Sequence, residues 1–310
     1  MIYLILTLLS LILLIICYKI SKFFNFYDYP SKIKIHSTKI PNIAGIALIP
    51  YLIVVSFFLK IDDPIKNTLY VTLVVVICGF IDDIKNIKPK IKLIILFFPF
   101  YIFITQISMV HNLGNYNFGT IYLGQYSFIF SIMCIFLLTN AYNYIDGLDG
   151  LLSINLIITL FFLNFLSSNF NLILIAIIIF LSIYLLFNFN TLNFFPKQFI
   201  GDSGSLGLGF LVSSILILFT QKIYNIHPAI IIWSVAFVVY EFLTINIIRI
   251  KEKKNIFSRD LNFIFNILKN KYSSIISLII CTLLHIKFCI ISIILDHYNL
   301  YFISISLFVL

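Results

Sequence analysis

The chain has 310 residues, 61% of them hydrophobic and only 11% charged, with a formal net charge of +9. Apolar runs of about 20 residues recur along its length, which excludes a soluble domain and points to an all-α, polytopic membrane protein. The positive charge is spread over the segments between these runs, which favours orientation in a bilayer over a nucleic-acid surface.

Taken in chain order, about ten or eleven spans are predicted, at roughly 2–18, 42–59, 68–81, 91–108, 126–140, 151–166, 170–187, 204–220, 228–248 and 273–294, with a short final run over 299–310. The first run lacks a basic start and a small-residue cleavage site, so it reads as a retained span. With no repeat at solenoid periods and no soluble-sized insert, residues 1–310 form one membrane domain. Seventeen Lys and Arg fall in the segments after spans one, three, seven and nine, against three (Lys60, Lys66 and Lys222) on the other face. The positive-inside rule therefore places the first set in the cytoplasm and the N-terminus outside. Asp62 and Asp63 then lie in an outer turn with Pro64. The outer loop from His111 to Gln125 carries no acidic residue. The five cysteines lie in or beside apolar runs without metal-ligand spacing and read as inert thiols.

Polar chemistry concentrates in a few places. Asn140 to Leu151 reads NAYNYIDGLDGL, with Asn140, Asn143, Asp146 and Asp149 at spacings of three. At about 100° per residue these side chains fan over half a helix rather than sharing one face. A break at Gly147 or Gly150 would let them converge. Asp82 and Asp83 end the third span in GFIDDIKNIKPK, and Asp202 opens the eighth in FIGDSGSLGLGF. All fall at the mouth that Lys and Arg mark as cytoplasmic, whereas Glu241 lies within the ninth span, as a structural residue or a member of the site. Clustered carboxylates need counter-charge. A hard divalent cation, Mg²⁺ with Mn²⁺ as the alternative, bound by a few carboxylates and substrate phosphates, provides it. The glycines beside Asp202 would allow close backbone approach to a phosphate or sugar, or close helix packing. The substrate is then a phosphate or pyrophosphate compound, with a lipid partner reached from the bilayer.

Four blocks, KIHSTKIPNIAGIAL (34–48), GFIDDIKNIKPKIKL (79–93), NAYNYIDGLDGLL (140–152) and FIGDSGSLGLGF (199–210), resemble in content and order the polyprenyl-phosphate N-acetylhexosamine-1-phosphate transferases. That superfamily includes the phospho-N-acetylmuramoyl-pentapeptide transferases; the first block looks more like its lipopolysaccharide and teichoic-acid initiating branch. The resemblance implies a multi-pass enzyme of the bacterial plasma membrane with its active site at the cytoplasmic face. It would move a sugar 1-phosphate from a UDP-N-acetylhexosamine to undecaprenyl or another polyprenyl phosphate and release UMP, starting a cell-envelope glycan; a homodimer is an open option. By resemblance, Asp202 is a Mg²⁺ ligand with Asn143 at or near the metal. Asp146 and Asp149 line the nucleotide-sugar site, and Asp82 and Asp83 sit by the lipid phosphate as catalytic groups. Gly201, Ser203, Gly204, Lys90, His36, Arg259 and Asp260 complete the expected binding set. One departure stands out. Where many bacterial members carry an HxHH motif, SRDLNFIFNIL (258–268) places Phe263, Ile264, Phe265 and Asn266, leaving Arg259, Lys253 or Lys254 to supply positive charge. The other readings are a lipid-linked sugar transporter or flippase, and a catalytically inactive relative.

Overall fold

The computed structural model describes residues 2–30, 38–167, 171–190, 194–255 and 262–309. Helix α1 (Ile2–Phe24) turns one stripe inward, Leu6, Ser10, Leu14, Cys17 and Ser21, the spacing expected of a helix lying along a bundle. Two-residue strands β1 (Tyr27–Asp28) and β2 (Ile40–Pro41) pair antiparallel. A 3₁₀ turn over Ala44–Ala47 then leads into α2 (Leu48–Phe58). Helix α3 (Asp63–Lys85) begins on Asp63 and Pro64, so the acidic pair expected in a turn starts a helix instead. Carboxylate and proline both suit the first turn, where backbone N–H groups lack partners.

Helix α4 (Pro89–Gln106) returns to an antiparallel hairpin of β3 (Asn112–Tyr116) and β4 (Gly119–Tyr122). Then come α5 (Ser127–Ile145), α6 (Leu151–Leu166), α7 (Leu172–Asn188) and α8 (Gly201–Gln221). A helix interrupted by a 3₁₀ segment follows, as α9 (Pro228–Ile231) and α10 (Ala236–Lys251). The chain ends with α11 (Ile264–Lys271), α12 (Ser274–His297) and α13 (Tyr301–Val309).

Seven helical stretches among the described residues are long and apolar enough to cross a bilayer, and three shorter apolar ones, 44–58, 151–166 and 172–188, stand where the sequence places spans two, six and seven. The protein is a helical, multi-pass membrane protein. The last run forms the nine-residue α13, well short of a bilayer's thickness.

Helix α8 is the axis of the bundle. From Gly201 to Phe219 every residue except Asp202 is buried, and α3 and α5 are its most extensive neighbours. Small residues make this enclosure possible. A methyl group on Gly79 would collide with the backbone of Asp202 and Ser203, and one on Gly45 with the backbone of Gly204. Gly207 faces Val76 and Gly209 faces Thr139. Without a hydrophobic drive between helices in lipid, such close approach supplies the van der Waals contact that holds them together.

The hairpin closes the end of the bundle away from Asp202. There Gln221 accepts from the His111 and Asn112 N–H groups at 3.0 and 3.3 Å and donates to the Asn112 carbonyl at 3.0 Å. All five cysteines are free and lie buried or half-buried, which suits the inert role read from their positions.

Candidate active site

Residue 202 is held at the entrance of α8 by three other helices. Gly201 takes the left-handed conformation, φ +71°, which turns the chain sharply into α8. The first N–H groups of a helix lack intrahelical partners, and here Asp83, reaching across from α3, satisfies two of them. Its carboxylate accepts from the Asp202 N–H at 2.8 Å and the Ser203 N–H at 3.0 Å, with the Asn42 side-chain amide at 3.4 Å. A carboxylate there also complements the positive end of the helix dipole. Asp82 is buried, accepting from the Ile87 N–H at 2.7 Å and pairing with Lys92 Nζ at 2.8 Å. The same ammonium pairs with Asp202. From α5, the Asn143 amide donates to Asp202 at 3.0 Å and to the Ser205 hydroxyl at 2.8 Å.

The geometry shows what holds each of the expected site residues. Asp82 and Asp83, expected as catalytic groups beside the lipid phosphate, both accept from backbone N–H groups, so each also braces the mouth. Gly201, Ser203 and Gly204 are buried and serve the packing of α8: Ser203 donates its hydroxyl to the Ile200 carbonyl at 3.2 Å, and Gly204 abuts Gly45. Lys92 rather than Lys90 joins the carboxylates. Two residues apart on a helix means about 200° of rotation, which leaves Lys90 exposed on the other side of α4. His36, Arg259 and Asp260 lie outside the described residues.

The expected break in the Asn-Asp stretch is present. Helix α5 stops at Ile145, with Asp146 as its C-cap, and Gly150 has φ +79°. Asn140 belongs to the helix and donates to the Phe136 carbonyl at 2.7 Å, a structural role. The loop is tied down at its far end, where the Gly150 N–H donates to Asn188 Oδ1 at 2.6 Å. Asn188 in turn donates to the Tyr184 hydroxyl at 3.0 Å, and Asp149 pairs with Lys197. The loops carrying Asp149 and leading to Asp202 are thereby braced together.

Asp146 is reached by solvent but stands in a recess crowded with protein. Loss of hydration there, followed by the charges of Asp202, Asp83 and Asp149, pushes its carboxyl up to about 8.

Among the described residues no three His, Cys, Asp or Glu side chains converge into a ready-made metal cage. The donor set still suits a hard cation that takes one or two carboxylates and completes its shell with water and substrate phosphate. Asp202 is the carboxylate that would hold it, with Asn143 alongside.

The segment that aligns with the HxHH motif of many relatives is packed with aromatic rings. Phe263 and Phe265 stack with centroids 5.1 Å apart and lie buried. Phe263 meets Tyr144 edge-on at 6.1 Å, and a methyl group on Gly147 would approach the Phe265 ring to 2.8 Å. Buried Arg249 lies over the Tyr144 ring, 5.2 Å from its centroid. Glu241 accepts from the Ile264 N–H at 2.6 Å, so it secures the start of α11. This favours its structural reading. Glu241→Leu is expected to cost about 1–3 kcal/mol by stranding that N–H, seen as a lower Tm in detergent, whereas Glu241→Gln keeps an acceptor and most of the stability.

Sequence reasoning missed Lys92 as the ammonium at the centre, and also Asn42, Lys197, Asn188 and Ser205. Their signal is their placement in space, Lys92, Asn188 and Ser205 on neighbouring helices and Asn42 and Lys197 in loops, which no local spacing reveals.

Fold and site together define a multi-pass membrane protein with a carboxylate-lined mouth at one end of its bundle. Residues 66–220 match the family model described as glycosyl transferase family 4, and the chain belongs to that family of transferases. It is 26% identical over 261 residues to an undecaprenyl-phosphate alpha-N-acetylglucosaminyl 1-phosphate transferase of Escherichia coli (strain K12), covering 81% of this chain and 71% of that protein. The Yersinia pestis protein of the same name is 27% identical over 276 residues, 84% of this chain and 73% of the relative. A phospho-N-acetylmuramoyl-pentapeptide-transferase of Streptococcus pneumoniae (strain Taiwan19F-14) is 27% identical over 209 residues, 61% of this chain and 63% of the relative.

Proposed function

We propose that the protein transfers an N-acetylhexosamine 1-phosphate from a UDP-sugar to a polyprenyl phosphate, with release of UMP, at the cytoplasmic face of a bacterial plasma membrane. The observation carrying this reading is that Asp202, alone along most of α8, escapes burial and is held there by residues from three other helices. The names of the relatives supply the chemistry that such a carboxylate would serve.

In the proposed reaction a lipid phosphate oxygen attacks the sugar-bearing phosphorus of the donor. The bond to the bridging oxygen breaks, and its electron pair leaves with UMP. Such transfers depend mainly on positioning and charge neutralisation. A Mg²⁺ or Mn²⁺ held by Asp202 would draw charge from the donor diphosphate. Lys92 neutralises the carboxylates from the other side, and Asn143 fixes the orientation of Asp202. A phosphate monoester has a second pKa of about 6, so it arrives largely as the dianion. Asp82 and Asp83, already committed to backbone N–H groups, are not required as bases. Direct attack is the simpler path, and an isolable sugar-phosphoryl-enzyme formed with donor alone would overturn it.

The direct test is incubation of purified protein with Mg²⁺, polyprenyl phosphate and a panel of UDP-sugars, following UMP. Release with at least one UDP-N-acetylhexosamine is expected, and no release with any donor would remove the reading. The intact Asp202, Asn143 and Lys92 constellation favours an active enzyme over an inactive relative.

A pH dependence follows from Asp146. Its folded-state carboxyl titrates at about 8, against about 4 in an unfolded chain. Between those values the folded metal-free protein binds more protons than the unfolded one, so the Asp146 contribution to stability falls as pH rises through that window. The difference in Tm between wild type and Asp146→Asn, measured in chelator, should therefore favour wild type more at pH 5 than at pH 8. A constant difference would contradict the assignment.

A further inference from the structure

Two lysines near Asp149 remain to be accounted for. Lys197 pairs with Asp149 while lying half-exposed, its ammonium also 5.7 Å from the Phe199 ring centroid. Lys269 lies in the last turn of α11. Phe265, one turn earlier, is seated against Gly147 in the loop that bears Asp146 and Asp149. Residues four apart share a helix face, so Lys269 overhangs that loop. Burial pushes the Lys269 ammonium below its ordinary value, while the negative charge of Asp149 opposes this and the positive charge of Lys197 adds to it. Lys269 makes no ion pair within 4 Å among the described residues.

Two ammoniums therefore stand near one carboxylate, and the second is half-buried with no ion-pair partner among the described residues. A half-buried cation in this setting gains most from a multiply charged oxyanion that can be shared with its neighbour. The other basic candidates near this segment are less suited. Lys254 is exposed and pairs with Glu252 at 2.6 Å, and Lys253 is exposed. The buried rings of Phe263 and Phe265 contribute packing, not charge.

We propose that Lys197 and Lys269 form a bracket for an organic diphosphate, gripping the donor near Asp149. The ligand class rests on the transferase reading, but the bracket itself requires only a diphosphate. It assigns donor recognition to two lysines anchored on the Asp149 loop and on α11, and makes α11 a specificity element.

The test is equilibrium binding to purified full-length protein in the presence of Mg²⁺, with UDP, uridine and inorganic pyrophosphate as probes. Lys269→Met and Lys197→Met should each weaken UDP and pyrophosphate binding about tenfold, the worth of one charge-assisted contact. Uridine binding should stay within threefold. In turnover assays the donor KM should rise while the lipid KM does not. Lys269→Arg should restore UDP affinity to within threefold of wild type, which a purely structural role for the side chain would not require. Unchanged UDP and pyrophosphate affinity in Lys269→Met, or an equal loss for uridine, would overturn the bracket. Wild type that binds pyrophosphate through Lys269 but no uridine nucleotide would uphold the bracket and remove the UDP-sugar reading.

Discussion

Asp202→Asn should lower UMP release by about 100- to 1,000-fold, the scale of losing one group aimed at developing charge. The substitution changes one atom in a well-supported place. The backbone N–H groups of residues 202 and 203 would still reach Asp83, and the new side chain could still accept from Asn143, as Asp202 does at 3.0 Å. What is lost is the negative charge, and with it the pairing to Lys92 and the hard ligand for a divalent cation. Turnover should therefore collapse, and Mg²⁺ should no longer shift the Tm, while the Tm in chelator stays within a few degrees of wild type. A rate near wild type would mean that Asp202 is not the metal carboxylate. A large fall in the chelator Tm would mean that its role is structural.

The second large effect is on packing. Gly79→Leu should destabilise the protein by about 3 kcal/mol or more, at the upper end for overpacked interiors. The reason is the kind of neighbour that an added side chain would strike. A carbon on Gly79 points at the backbone of Asp202 and Ser203, which cannot swing aside as a side chain could. Helix α3 would have to retreat from α8, withdrawing Asp83 from the N–H groups that it caps. Thermal unfolding in detergent should show the loss, and activity should fall with it. Ile77→Leu, on the exposed side of the same helix, provides the control and should be nearly neutral. If Gly79→Leu melts with wild type, the close contact between α3 and α8 is wrong.

Much of the fold is legible in the sequence because membrane spans are written in composition. The spans were placed within a few residues, and even the three short ones were found, since an apolar run between basic segments needs no partner to be recognised. Asn143 and Asp202 were legible as a pair through the family resemblance, and they meet in a hydrogen bond of 3.0 Å. The capping of α8 by Asp83 was not legible. Its carboxylate is committed to N–H groups more than a hundred residues away, and nothing local distinguishes a capping carboxylate from a catalytic one. The choice of Lys92 over Lys90 had the same cause. Both sit in the same basic segment, and only the rotation of α4 against α3 and α8 decides which one enters the mouth. The aromatic filling of 263–266 shows a third limit. The sequence announces that the imidazoles are absent, but only the packed structure shows that their segment has become core.

The enclosure of α8 bears on how the chain is made. A helix buried on every side has no stable resting place against lipid alone, and its serines and glycines would be poor company for acyl chains. Its two principal neighbours, α3 and α5, both precede it in the chain. As synthesis proceeds from the N-terminus, the groove for α8 can already be assembled when that helix enters the bilayer. Asp83 would then be waiting to receive the first turn, so insertion of α8 and completion of the carboxylate-lined mouth become a single event.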